Sequence, residues 1–171
     1  MAGISLAQRD LVETRTQLTA WFGERLGQPD VELSELRAAN KASGWSSESL
    51  VFSAGRDGST SEYVIRIPPA GGGIFDEYDL AGQTRTQELL HGYGIATPSP
   101  IHYEPDSGWI GSRFMVMPRI TGHTHSDMTY ASRGWLHDAG PQVQRRLHDG
   151  FLDTLAALQR VPVAEAPWLQ R

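Results

Sequence analysis

The spacing of hydrophobic positions changes along the chain and divides it into helical and extended parts. From about Ser5 to Gly27, large apolar residues recur at helical spacing with charged residues between them. The segment Gly27-Gln28-Pro29 ends this pattern, because glycine suits a left-handed helix end and proline cannot continue the turn. The pattern therefore predicts an amphipathic helix in residues 1–28.

Shorter apolar runs separated by turn residues follow and predict a five-stranded antiparallel sheet. The runs are centred near Val31, Leu50, Tyr63, Ile101 and Phe114. One helix, predicted from Asp76 to His91, interrupts the strands after the third run and places Leu80, Gln83, Gln87 and Leu90 on one face.

The last part of the chain is predicted to be helical. A linker rich in glycine, histidine and serine runs to about Thr129, a short helix follows, and a longer one spans Pro141 to Arg160. That longer helix carries an apolar stripe of Val143, Leu147, Phe151, Leu155 and Leu158. The predicted fold class is α+β, with residues 1–28 as the N-terminal helix, 29–122 as the sheet domain and 123–171 as the linker and C-terminal helices.

The amino-acid composition excludes several kinds of functional site and binding partner. The chain has no cysteine, which excludes disulfides, thiolate metal sites and a cysteine nucleophile. A net charge of −5 argues against binding nucleic acid, which requires clustered basic residues. No segment approaches the roughly 20 apolar residues of a membrane span, and the N-terminus does not resemble a signal peptide. We therefore expect a cytoplasmic protein with no membrane partner.

Two features are candidates for binding an anion. The small polar loop from Ala42 to Glu48 could direct backbone N–H groups and serine hydroxyls at a phosphate. Arg66 lies within the third predicted strand, and strand alternation places it on the face opposite Ile65 and Ile67. Each feature also has an ordinary explanation, as a hairpin loop and as a solvated surface arginine.

The order of these elements resembles the N-lobe of protein-kinase-like enzymes, and the residues resemble the aminoglycoside phosphotransferase family. The similar stretches are Ser43 to Glu48, Val64 to Pro68, Gly94 to Pro98 and Gly111 to Gly122. The resemblance is closest to the bacterial branch that includes phosphotransferase domains associated with acyl-CoA dehydrogenases. It covers roughly residues 31–161.

The resemblance implies a nucleotide site. Ser46, with its neighbours Ser43, Gly44, Trp45 and Ser47, would contact the phosphates of ATP, and Arg66 would take the place of the family's phosphate-binding cation. Met117 would border the adenine pocket, and the backbone of Pro118, Arg119 and Ile120 would run along the adenine edge. ATP and Mg²⁺ are the implied cofactors, and a small-molecule hydroxyl is the implied acceptor.

One departure from the family pattern concerns the partner of the strand cation. Kinase-like enzymes usually pair that cation with a glutamate on the following helix. The favoured register places Gln83 there, which can accept a hydrogen bond from Arg66 but cannot neutralise it. Glu77 and Glu88 are the alternatives, although both lie off the face of Gln83.

A second departure concerns the chemical step. The family's phosphoryl transfer needs an aspartate, an asparagine a few residues later and a further aspartate that holds Mg²⁺. Asn40 is the only asparagine and lies among the first predicted strands, while His137-Asp138 and His148-Asp149 have no asparagine after them. We expect the catalytic loop and the Mg²⁺ ligands to lie in a lobe beyond this sequence, and this chain alone to be inactive.

Two alternatives remain open. The chain could be a non-catalytic module that binds a nucleotide or docks a partner. It could also bind a metal ion through His123-Thr124-His125-Ser126-Asp127, whose spacing suits a divalent ion but is more typical of a solvated linker. The apolar stripe of the last helix further predicts self-association.

Overall fold

A computed structural model describes residues 9–39, 47–56, 58–69, 75, 77–123 and 134–169. The chain forms two compact units. The first contains Met1–Glu88 and Pro98–Arg119, and the second contains Leu89–Thr97 and Ile120–Arg171. The sheet belongs to the first unit, together with Ser47, Arg66 and Met117 of the candidate site.

The sheet of the first unit has six described strands, all antiparallel to their neighbours. In chain order they are β1 (Glu32–Leu33), β2 (Arg37–Ala38), β3 (Glu48–Arg56), β4 (Ser59–Ile67), β5 (His102–Glu104) and β6 (Phe114–Pro118). Their order in the sheet is β1-β3-β4-β6-β5, with β2 also paired to β3. The mixed helix and sheet architecture confirms the predicted α+β fold class.

The first predicted strand is divided into β1 and β2. Between them, the Ser34 hydroxyl accepts a hydrogen bond from the Ser53 backbone N–H at 2.9 Å. The Ser34 N–H donates to the Ser53 carbonyl at 2.9 Å. A side chain thus takes a position in the ladder that a backbone carbonyl would otherwise occupy, and two short strands form where one was predicted.

Helix α1 (Leu11–Arg25) covers one face of the sheet. It begins after Asp10, whose carboxylate accepts hydrogen bonds from the N–H groups of Val12 and Glu13. Alternate strand residues meet Leu18, Trp21 and Phe22 of α1 in the main hydrophobic core. These strand residues are Leu50, Phe52, Ala54, Ile65, Ile67, Phe114 and Val116.

A buried carboxylate joins α1 to the far edge of the sheet. Glu104 of β5 is 4% exposed, and its Oε2 accepts hydrogen bonds from Trp21 Nε1 at 2.9 Å and Arg25 Nε at 3.1 Å. Its other oxygen accepts from the Asp106 backbone N–H at 2.9 Å. Because both oxygens are bonded, this buried charge is compensated.

Helix α2 (Leu80–Gly92) begins later than its apolar pattern predicts. The Asp79 carboxylate accepts a hydrogen bond from the Gly82 N–H at 2.8 Å, which satisfies a free donor of the first turn. Leu80 joins Ile101 and Met115 in a second, smaller core, and Tyr103 and Met117 pack against it.

The second unit is helical. It contains α3 (Trp135–Asp138), α4 (Gly140–Leu158) and two short 3-10 turns, Val163–Glu165 and Pro167–Leu169. The Gln144 side chain donates to the Leu136 carbonyl at 3.0 Å and links α4 to α3. In the described part of the chain, no helix combines the length and the apolar character that crossing a membrane would need.

Candidate functional site

Arg66 lies on the face of the sheet opposite the main core, as strand alternation predicts. Its neighbours in β4, Ile65 and Ile67, are fully buried against the α1 side, whereas Arg66 is half-buried. Arg66 is directly opposite Ser49 of β3 and Met115 of β6. Residues directly opposite one another in an antiparallel pair share a face, so Arg66 shares its face with Met115 of the smaller core.

The Arg66 side chain is held by the small polar loop. Its Nε donates a hydrogen bond to the Ser47 hydroxyl at 2.9 Å, and Ser47 is 7% exposed. Ser47 directly precedes β3, whose start lies beside the end of β4. The remaining predicted phosphate contacts, Ser43, Gly44, Trp45 and Ser46, lie outside the described residues.

The guanidinium of Arg66 retains donors that could bind an anion. Arginine has five N–H donors, and within the described ranges only the Nε–H of Arg66 has a partner. None of the described carboxylates forms an ion pair with it. Glu48 is the acidic residue at the end of the loop. It is paired with Ile67 across the sheet, and its carboxylate accepts a hydrogen bond from Arg9 Nε at 2.9 Å. A half-buried cation with this environment is suited to an external anion.

Gln83 lies in the first turn of α2 and is half-buried. Over the described ranges, no hydrogen bond connects its side chain to Arg66. The helix residue at the Arg66 face is instead Thr84, which is 6% exposed and whose hydroxyl lies 3.8 Å from the Met115 sulfur. The spacing of hydrophobic residues did not identify Thr84, because threonine is polar. Its hydroxyl can be buried because it donates a hydrogen bond to the Leu80 carbonyl at 2.9 Å. Glu77 and Glu88 are both exposed.

The predicted adenine edge begins where β6 ends. Met117 is opposite Val64 and half-buried against the smaller core, and Pro118 is opposite Tyr63. Arg119 donates two hydrogen bonds to Glu62. Its backbone N–H donates to the Glu62 carbonyl at 2.8 Å, and its Nη1 donates to the Glu62 carboxylate at 2.9 Å. The Ile120 N–H has no acceptor among the residues that the structure covers, and its side chain is 67% exposed.

In the described part of the chain, no histidine forms a hydrogen bond with Arg66. Burial lowers the pKa of the His102 imidazole below its ordinary value of 6.5, and the Glu88 carboxylate opposes that shift. His123 is exposed, with its ring 5.5 Å from that of Trp135. The rest of the candidate metal motif, Thr124 to Asp127, lies outside the described residues. Among the residues that are described, no three His, Asp or Glu side chains are grouped to hold a metal ion.

Comparison with known proteins identifies the family of the chain. Two curated relatives, acyl-CoA dehydrogenase family member 11 of Pongo abelii and of Homo sapiens, are each 26% identical to this chain over 101 residues. The aligned part is 59% of this chain but only 12% of each relative's length. The model of the phosphotransferase enzyme family matches residues 38–170. The resemblance predicted from the sequence is thereby confirmed, and the chain belongs to the phosphotransferase enzyme family.

Proposed function

We propose that this chain is the nucleotide-binding part of an ATP-dependent phosphotransferase that acts on a hydroxyl group of a small molecule. The observation that supports the proposal is the Arg66 side chain. Ser47 fixes its Nε at 2.9 Å, and its remaining donors have no protein partner among the described residues. A planar guanidinium with free Nη donors is well suited to the oxygens of a phosphate.

The neighbouring residues suit the rest of the nucleotide. Met117 is half-buried on the Arg66 side of the sheet, next to the fully buried Met115, and its exposed part offers an apolar surface that favours a flat base. The backbone from Pro118 to Ile120 would provide the polar contacts to adenine. Arg119 is already bound to Glu62, so the Ile120 N–H is the donor that we assign to a ring nitrogen.

Catalysis itself would need further residues. The sequence has one asparagine, Asn40, and so lacks an H-x-D-x-x-x-x-N segment of the kind that positions an acceptor hydroxyl and Mg²⁺. When bound, Mg²⁺ would neutralise charge on the transferred phosphoryl group. We assign its ligands and the acceptor site to additional sequence, and we expect the chain to bind nucleotide in the cytoplasm without turning it over.

Calorimetric titration with ATP tests the binding proposal. Arg66→Ala should weaken ATP binding about tenfold or more, since a hydrogen-bonded charge contact contributes roughly 1.5–3 kcal/mol. Arg66→Lys should retain part of the affinity, because it keeps the charge but loses the planar donors. The control is Arg15→Ala on α1, which removes the same charge from the helix on the opposite face and should leave the affinity unchanged.

Two results would contradict the proposal. Equal ATP affinity in Arg66→Ala and the unaltered chain would remove Arg66 from the site. ATP-dependent phosphorylation of a hydroxyl compound by the purified 171-residue chain would show that the catalytic residues are present after all.

A further inference from the structure

A buried hydroxyl near the start of α2 has no role in the fold. The phenolic oxygen of Tyr78 is buried, and no hydrogen-bond partner for it exists in the described structure. A buried, unsatisfied polar group costs roughly 1–3 kcal/mol, and folded proteins contain few of them. The Tyr78 hydroxyl therefore calls for an acceptor that the described protein does not provide.

Packing explains the ring of Tyr78 but not its hydroxyl. The ring makes an edge contact with Phe75, with centroids 5.7 Å apart and planes at 74°. Phenylalanine would make the same contact without placing an unbonded O–H in a buried position. A polar function is thus the simpler explanation of the tyrosine.

Two contacts place Tyr78 beside the candidate site. Leu80, two residues later, packs with Met115, which lies directly opposite Arg66. The Tyr78 carbonyl accepts a hydrogen bond at 2.8 Å from Arg113 Nη2, and Arg113 directly precedes β6. Because β6 is antiparallel to β4, its start lies beside the end of β4 that carries Arg66. The backbone of Tyr78 consequently lies on the same face and at the same end of the sheet as the Arg66–Ser47 pair.

We propose that the Tyr78 hydroxyl donates a hydrogen bond to a phosphate oxygen of the nucleotide held by Arg66. This inference rests on the proposed nucleotide function. A neutral O–H donor to a phosphate oxygen is charge-assisted and short, and it would satisfy the unpaired group when ligand binds. It adds a third protein donor, alongside Arg66 and the Ser47 hydroxyl, to the phosphate end of the site.

The test is Tyr78→Phe in the full chain, with two measurements. ATP and inorganic tripolyphosphate are titrated calorimetrically, and both should bind about tenfold more weakly than to the unaltered chain. Thermal unfolding without ligand should occur at the same or a higher temperature, because the variant removes an unsatisfied buried group. Tyr63→Phe is the matched control, since Tyr63 stacks on Phe52 in the core of the opposite face. Its affinity for both ligands should not change.

The outcomes separate this inference from the proposed function. If Arg66→Ala loses affinity but Tyr78→Phe does not, the role of Tyr78 is wrong and the nucleotide site stands. If Tyr78→Phe weakens ATP but not tripolyphosphate, the phosphate assignment is wrong. A lower unfolding temperature in the ligand-free variant would reveal a protein partner for the hydroxyl and overturn the inference. If the unaltered chain binds neither ligand, the proposed function fails and this inference fails with it.

Discussion

Individual side chains in this protein differ in whether their charge serves the fold or remains available to a ligand. Glu104 is buried and accepts bonds from Trp21, Arg25 and the Asp106 backbone, so its charge is used within the fold. Arg66 is half-buried and bonded through its Nε alone in the described structure. The contrast identifies Arg66, and not Glu104, as the group with unused binding capacity.

The Glu104 network makes a prediction about stability. Glu104→Ala should lower the free energy of unfolding by about 3 kcal/mol, because it leaves the buried Trp21 N–H without an acceptor. Arg25→Ala should cost less than about 1 kcal/mol, since the Arg25 side chain is 47% exposed and solvent screens the pair. Urea unfolding followed by tryptophan fluorescence measures both. Equal losses in the two variants would show that the salt bridge, and not the buried hydrogen bond, is the important contact.

The side chains also show where sequence reasoning stops. Strand alternation correctly placed the Arg66 side chain on one face of the sheet and those of Ile65 and Ile67 on the other, because side chains alternate between the two faces of a strand. The bond between Arg66 and Ser47 depends on the register of β3 against β4, which the hydrophobic pattern sets only together with the type of turn that joins the two strands. The burial of Glu104 depends on its hydrogen bond with Trp21, which is 83 residues away in the sequence. From the sequence alone, a glutamate followed by a proline would be predicted to be exposed.

At the level of elements, helix α2 shows how local chemistry determines the position of the site. Apolar spacing predicted a start at Asp76, whereas the Asp79 cap fixes the first helical residue at Leu80. This start puts Leu80 and Thr84 on the buried face, one turn apart, against the Met115 side of the sheet. The periodicity of apolar residues predicted that a helix exists here. The residue at which it starts depends on a capping hydrogen bond, which the hydrophobic pattern does not reveal.

The cap predicts an unusual response to a glycine substitution. Alanine normally stabilises a helix relative to glycine by up to about 1 kcal/mol. At Gly82, however, an added Cβ would overlap the Asp79 carboxylate that caps the same N–H. A lost cap costs about 1 kcal/mol and offsets that gain, so Gly82→Ala should leave the free energy of unfolding unchanged or slightly lower.

Gly150 in α4 provides the matched comparison for Gly82. A Cβ added there has no atom within 4 Å, so Gly150→Ala should keep or raise the helical stability. Thermal unfolding followed by circular dichroism at 222 nm measures both variants. Stabilisation of similar size by the two substitutions would show that the Asp79 cap contributes nothing.

At the scale of the whole molecule, the two units differ in how completely they bury their apolar residues. The first unit encloses two cores on the two faces of its sheet. In the second unit, none of the residues of α4 is buried, and five large apolar side chains on it are 37–60% exposed. These side chains are Leu147, Phe151, Leu152, Leu155 and Leu158.

The exposed face of α4 predicts that the isolated chain self-associates, because water-exposed apolar residues clustered on one helix favour burial against another surface. The charges on α4 favour an antiparallel helix pair. Arg145 and Arg146 lie in its first half, Asp149 lies at its centre and Asp153 lies in its second half. An antiparallel pair centred on the helix would bring Arg145 of one copy opposite Asp153 of the other and would also align the two helix dipoles favourably.

Sedimentation velocity over a range of protein concentrations tests this prediction. The unaltered chain should sediment faster as concentration rises, whereas Phe151→Asp should remain a monomer because it places a charge at the most exposed position of the α4 patch. Val12→Asp on α1 is the control, since Val12 is 68% exposed but lies outside that patch. A single monomeric boundary for the unaltered chain at all concentrations would contradict self-association. Equal behaviour of Val12→Asp and Phe151→Asp would show that α4 is not the surface involved.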